Sequence, residues 1–270
     1  MAPFRRRSAS DRALASPRAV AALLGAVLLG YYLLPLASLA ATQSPGAVLA
    51  RLRDPAVVDA ALLSLTAAAI TTLASLAFGL PLAYWLSTAS GRLRTAVTAA
   101  VALPLVVPPV VSGMLLLPVV GTGPIAAGFR SLGLSTTRSL LAVVLAQTFV
   151  ASPYLVITSL AAFERVDDRY VEAALTQGAS PARAFRRIAL PLARTGIAAG
   201  VTLTFARAMG EFGATMMLAY RPRTLPVSIW TSFLGRGTDA AFPLAVVLLA
   251  VSVIALAVVR LAGTGLPGTG

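Results

Sequence analysis

Residues 139–162 read SLLAVVLAQTFVASPYLVITSLAA, and residues 163–182 read FERVDDRYVEAALTQGASPA. The first stretch carries no charge and is longer than the roughly 20 apolar residues a helix needs to cross the hydrocarbon core. The second holds the densest charge in the chain. This switch, from an uncharged lipid-length run to a crowded polar segment, makes the first stretch a membrane span and the second the connection behind it. Five further apolar runs lie at about 19–40, 57–87, 96–120, 194–220 and 241–261, each long enough to span. The fold expected is all-α: a polytopic membrane protein of six transmembrane helices.

Composition agrees. Apolar residues make up 58% of the 270 residues, charged residues 11%, and the mean hydropathy is +0.86. Too few polar side chains exist to coat a soluble globule, whose charged fraction is about a quarter. Cys and His are absent, which removes thiolate and imidazole chemistry and the metal sites built from them. Lys is absent as well, so neither a Schiff base nor a G-x-x-x-x-G-K-[ST] phosphate loop exists. The net charge of +13 is carried by arginines that sit mostly between apolar runs, with no basic stripe of interleaved aromatics. Topology control explains that charge better than nucleic acid does.

Arginine counting orients the chain. With the N-terminus inside, fourteen arginines fall on the cytoplasmic side and seven outside, with Arg207 left within a span. Both termini are therefore expected in the cytoplasm. Arg5 to Arg7 and Ser38-Leu39-Ala40 imitate a signal peptide, but an apolar run of about 22 residues exceeds the usual 7–15, so the first span reads as an uncleaved helix. The expected layout is an N-terminal tail 1–18, a six-helix membrane domain 19–262 with a long loop 163–193, and a C-terminal tail 263–270. The second run is longer than a bilayer needs, and Asp54-Pro55 places an N-cap and a first-position proline at its start.

Within the loop, 167–177 is helix-compatible, with Asp167 or Asp168 as cap and Gly178 as left-handed terminator. Ser180-Pro181 then restarts a second helix. A solvated amphipathic loop with snorkelling arginines is one reading. The spacing supports another. Glu172-Ala173-Ala174, Gly178 and Ile188, Leu190, Pro191 resemble the EAA loop of ABC importer permeases, E-A-A-x3-G-x9-I-x-L-P, and every position is met. The resemblance implies a type I permease fold and makes this loop the coupling helix seated on a cytoplasmic ATPase.

The fifth run contains Phe205-Ala206-Arg207-Ala208-Met209-Gly210-Glu211-Phe212-Gly213-Ala214. Arg207 lies thirteen residues past Arg194, about 20 Å along a helix and well inside the bilayer. Arg207 and Glu211, four apart, share a helical face and can pair. The pair either locks the bundle or borders a translocation path. Phe205, Met209 and Phe212 are bulky enough to gate such a path, or they pack the core. In the third run Pro108 and Pro109 free backbone carbonyls, which must then face protein or a wet cavity.

The Phe205–Ala214 stretch resembles the permeases for tetrahedral oxyanions, and Pro108-Pro109 resembles their paired-proline feature; the tail from Ala219 resembles most the molybdate/tungstate branch, with sulfate and thiosulfate the alternative. The resemblance covers about 55–262. It implies an ATP-driven importer in which this chain binds no cofactor and does no covalent chemistry. ATP and Mg belong to an ABC ATPase dimer in the cytoplasm. A second permease copy and an extracytoplasmic oxyanion-binding protein complete the implied assembly. From another class, an ion-coupled carrier would carry more intramembrane acids and repeat symmetry. An intramembrane enzyme would need a Ser/Lys or paired-aspartate arrangement. Both leave the Glu172–Pro191 pattern unexplained.

Overall fold

The computed structural model describes residues 9–264 and contains helices but no strand among them. The chain divides into two compact units at Leu49/Ala50. In the first lies α1 (Ala9–Thr42), which carries Pro17 and Pro35 within it and whose portion Pro17–Thr42 is long and apolar enough to span. The helix begins at Ala9, so it takes in part of the stretch expected as a tail, while residues 1–8 lie outside the described residues. A short helix α2 (Pro45–Leu52) follows at the division.

The second unit is built around α3 (Pro55–Thr88), α7 (Leu140–Phe163) and α10 (Leu190–Met209), with α7 packed against both of the others. α3 starts as its sequence requires: the Asp54 carboxylate accepts from the Ala56 N–H at 3.0 Å, with Pro55 in the first turn. Since lipid is as apolar as leucine, helices in a bilayer associate through close packing of small residues rather than through burial from water. Ala67, Ala68, Ala83, Ala142, Ala146 and Ala151 are all fully buried. At Gly200 a Cβ would fall 2.3 Å from Thr158 Oγ1, so α10 lies on α7 at a distance only glycine permits. Several polar groups in this core are satisfied locally or across helices. Thr72 and Ser75 donate to carbonyls four residues back, and Thr71 donates to the Gln147 side chain at 3.1 Å, joining α3 to α7. Leu62, Leu73, Leu103 and Phe78 instead point outward, as a lipid-facing surface requires.

Two of the expected spans are not continuous. The third consists of α4 (Gly91–Val106) and α5 (Pro109–Leu116), bent by 116° at Val107-Pro108; α5 runs into a wide turn at Leu117–Gly121. Single prolines such as Pro81 and Pro153 are carried inside α3 and α7. Tandem prolines act differently, because each disfavours helical geometry in the residue before it. Val107 (φ −73°, ψ 127°) and Pro108 (φ −54°, ψ 138°) are both extended, and the helix turns there. The fifth run also departs from the uninterrupted helix expected over 194–220. Its helix begins earlier, at α9 (Pro181–Ala184), passes a wide turn at Phe185–Ala189 into α10, stops at Gly210 and restarts as α11 (Gly213–Leu218). Among the described residues, five helices are long and apolar enough to span, and the bent α4–α5 pair makes a sixth.

The remaining elements are α6 (Pro124–Ser131), α8 (Asp168–Thr176), α12 (Leu225–Arg236) and α13 (Thr238–Thr264), the last packed on α12 and α10. Of the expected C-terminal tail, residues 265–270 lie outside the described residues.

Candidate translocation junction and coupling loop

The two broken spans meet at their breaks. α5 packs on α11, and the contact is backbone to backbone. A Cβ on Gly213 would stand 2.8 Å from Val110 N and 3.0 Å from Pro109 Cβ; one on Gly113 would stand 2.7 Å from Met217 Cβ and 2.9 Å from Ala214 Cα. Non-helical backbone inside a membrane is tolerated where protein or a wet cavity meets it. Here each break covers the other.

Glu211 holds the second break together. Its side chain is 1% exposed; Oε1 accepts from the Ala214 N–H at 2.8 Å, capping α11, while Oε2 lies 2.5 Å from Arg207 Nη2. The Oε2 contact lacks hydrogen-bond alignment, so it is a charge contact, and the directional bond of this carboxylate goes to α11. The Arg207 side chain keeps 24% exposure, so of the two partners it is the less deeply buried. Arg207 and Glu211 therefore pair as their spacing suggests, although the helix has already ended at Gly210. The cap is a role that spacing did not reveal. Ser112 and Thr215, one on each junction helix, are also beyond sequence reach: both are fully buried, with hydroxyls that have no hydrogen-bond partner among the described residues.

The other residues singled out as path or gate divide. Pro108 is exposed and Pro109 half-buried at the α4–α5 bend. Phe212 is half-buried, its ring 5.5 Å from that of Trp230 on α12. Phe205 and Met209 are placed elsewhere, buried in a cluster with Ala68, Ala151 and Ala208 where α3, α7 and α10 converge. Their position within this chain is that of packing.

The loop behind α7 folds as its sequence reads. The Asp167 carboxylate accepts from the Arg169 N–H at 3.0 Å and caps α8. The Arg169 guanidinium also bonds it, which holds its acid below the ordinary aspartate value of 3.8. Gly178, at φ 83°, ends α8: Ala179 N–H donates to Ala174 and Gly178 N–H to Leu175, the paired bonds of a left-handed helix terminus. Ser180 then accepts from Arg183 N–H and opens α9.

The seven motif residues play two parts. Glu172, Ala173 and Gly178 are exposed and Ala174 half-buried on α8, a helix with no buried residue, whose Tyr170 and Leu175 are exposed too. Ile188 and Leu190 are half-buried and Pro191 exposed on the return arm. That arm is rooted. Ala184 and Ala189 are buried, and the Phe185 ring lies 4.5 Å from Tyr84 and 6.1 Å from Phe163, joining the loop to the ends of α3 and α7. Arg94 on α4 adds an ion pair to Glu164, the residue that ends α7. So α8 is presented outward on a base fixed to three spans.

Residues 75–264 match the model of the family described as "Binding-protein-dependent transport system inner membrane component". The chain belongs to this family. Its matched region contains the α4–α5 bend, α7, the whole loop and the α10–α11 break. Among relatives, a protein of Haloferax volcanii described as a probable molybdenum ABC transporter permease is 53% identical over 249 residues, 92% of this chain and 91% of that one. A molybdate/tungstate transport system permease of Thermococcus kodakarensis is 35% identical over 230 residues, 84% of this chain and 88% of that one. A solved structure of a bacterial alginate ABC transporter, in complex with a periplasmic protein carrying an alginate pentasaccharide, matches at TM-score 0.67 and 18% identity, covering 95% of this chain and 99% of that one. That likeness shows the fold, which is that of the type I ABC importer permeases. As an inner membrane component of this family, the chain is a multi-pass membrane transport subunit.

Proposed function

We propose that this permease is the membrane-spanning subunit of an ATP-driven importer that carries a tetrahedral oxyanion, molybdate or tungstate, by alternating access. The observation that carries the reading is the 53% identity to a molybdenum permease across 92% of the chain. A doubly charged ion cannot enter hydrocarbon bare. The junction of α5 and α11 supplies what a transient path needs: two breaks in register, a cation in Arg207 and the buried hydroxyls of Ser112 and Thr215. Both faces of the junction are short helices on hinges, so a small rotation of one span against the other opens or closes it.

The subunit does no covalent chemistry. ATP and Mg are handled by a cytoplasmic ATPase dimer, which receives α8 through Glu172, Ala173 and Ala174; the return arm with Ile188, Leu190 and Pro191 passes its motion into α10. A second copy of the permease completes the path, and an extracytoplasmic oxyanion-binding protein delivers the ion. Both termini lie in the cytoplasm, as the arginine asymmetry directs. Against an ion-coupled carrier stands the state of Glu211. Among the described residues it is the only buried carboxylate, and it is engaged by Arg207 and by the Ala214 N–H at the start of α11.

The test is uptake into proteoliposomes containing the permease with its ATPase and binding protein, comparing labelled molybdate, tungstate and sulfate with and without internal ATP. ATP-dependent accumulation of molybdate or tungstate ahead of sulfate is expected. Accumulation driven by an ion gradient without ATP overturns the proposal.

A further inference from the structure

α3 is about 50 Å long at 1.5 Å per residue, so its Pro55 end lies far from the Tyr84 end that anchors the coupling loop. At the Pro55 end is a cavity of about 590 Å³ between the start of α3, the 221–223 turn and α12. Arg51, Arg221, Arg223 and Arg236 line it, with Asp54 and Asp59. Among the described residues, none of these four arginines makes a salt bridge. Asp54 is engaged as the cap of α3. Arg223 is steadied by Tyr220, whose hydroxyl accepts from Nη2 at 3.3 Å and whose ring centroid lies 5.4 Å from the guanidinium carbon. Its Nε is buried and has no hydrogen-bond partner among the described residues.

Like charges gathered around one cavity repel, and a buried guanidinium N–H without an acceptor is costly. Both conditions are relieved by one kind of guest. Four guanidiniums against two carboxylates leave an excess of two positive charges, and the unfilled donors call for several oxygen acceptors on one small body. We infer that this cavity binds a free, doubly charged tetrahedral oxyanion, at a site separate from the α5–α11 junction and at the opposite end of the bundle from the coupling loop. The space exceeds one such ion by many waters, at about 30 Å³ each, so the ion sits there partly hydrated and exchanges readily. Such a site concentrates the ion at the entrance rather than selecting it. The identity of the ion and the outward orientation of this end rest on the function proposed above; the charge geometry does not.

The same chemistry is offered by the phosphate of an anionic lipid, and the experiment separates the two. The full chain is placed in phosphatidylcholine nanodiscs at low salt, without ATP or other subunits, and labelled tungstate binding is measured by equilibrium dialysis. Saturable binding is expected, weakened about tenfold in Arg221→Gln/Arg236→Gln and in Arg223→Gln, and unchanged in Arg130→Gln, which alters an arginine outside the cavity. Arg223→Lys, which keeps charge but not the fork, guards against loss through misfolding and should bind with intermediate strength. Binding abolished when phosphatidylglycerol is added assigns the cavity to lipid and overturns the inference, as does absence of binding up to about 1 mM tungstate. ATP-driven uptake of the ion with no binding here defeats the inference alone. Binding here with no ATP-driven uptake in the complete system defeats the proposed function and leaves the site standing.

Discussion

Gly113 on α5 faces Ala214 on α11 so closely that a Cβ on the glycine would stand 2.8 Å from the Ala214 carbonyl oxygen. Two helices that each stop inside a membrane are thereby made into one structural unit. The position has no room for a side chain, and its neighbours are the Ala214 backbone and the Met217 Cβ, which cannot step aside unless α11 moves.

Gly113→Val should therefore damage the junction more than an equal change at a lipid-facing position. Overpacking of this kind costs about 1–3 kcal/mol, and relief here requires separating α5 from α11. The expectation is a lower unfolding temperature in detergent and strongly reduced uptake. Gly25→Val on α1, where nothing lies within 4 Å, should change neither. Equal tolerance of both substitutions would mean that the junction opens freely and is not a packed unit.

Arg207 and Glu211 make unequal demands on each other. Removing the guanidinium by Arg207→Gln leaves a carboxylate that is 1% exposed with only the Ala214 N–H beside it; removing the charge by Glu211→Gln leaves an arginine whose side chain is less deeply buried, at 24% exposure. Breaking a buried pair costs about 3 kcal/mol or more when the orphaned charge stays buried. Arg207→Gln should be the more destabilising, and Glu211→Gln the milder because its amide oxygen can still accept from Ala214. Reversal of both charges should restore little, since an arginine at 211 cannot cap α11. Thermal unfolding of the three variants ranks them, and full recovery by the double reversal would show that the cap is dispensable.

The cap of α8 carries a pH dependence. Hydrogen bonds from Arg169 lower the Asp167 acid below its ordinary 3.8. A carboxylate depressed on folding stabilises above that ordinary value and loses its contribution as pH falls through the lowered one. Amide exchange in the first turn of α8, corrected for intrinsic rates, should stay slow near neutrality and rise only in the acid range below about 3.8. Asp167→Asn should flatten that profile. A rise near neutral pH would contradict the assignment.

Span number, the Asp54 cap, the left-handed Gly178 and the two-helix loop were all legible in the sequence. Each is set by local chemistry: lipid-length apolar runs, capping oxygens, a residue without Cβ. The α4–α5 bend was half legible, because Pro108-Pro109 announces a disruption but not its 116°. The α10–α11 break was hidden, because Gly210 and Gly213 flank residues that a continuous helix would also accept. What breaks the helix is the local Glu211 carboxylate that caps α11, together with a facing backbone on α5, at Pro109 and Val110, from a distant part of the chain. For the same reason the sequence could not show that Phe205 and Met209 lie in the cluster where α3 and α7 meet α10.

The coupling claim turns on two residues of α8 with different physical roles. Glu172 is exposed, and among the described residues its side chain makes no hydrogen bond or ion pair that fixes the loop, so Glu172→Ala should leave insertion and thermal stability unchanged. If α8 seats on the ATPase, that variant should hydrolyse ATP while importing at least about tenfold less, a loss of roughly 1.4 kcal/mol in coupling. Gly178 acts through its backbone: φ is 83° and nothing lies within 4 Å of where a Cβ would be. Substitution there is opposed by left-handed strain alone, about 1–2 kcal/mol for a branched side chain and less for asparagine. Gly178→Asn should thus retain much of the transport that Gly178→Val loses. Parallel ATPase and uptake assays on the three variants decide the matter. Normal uptake in Glu172→Ala and Gly178→Val together would remove α8 from the coupling path and leave the solvated-loop reading in its place.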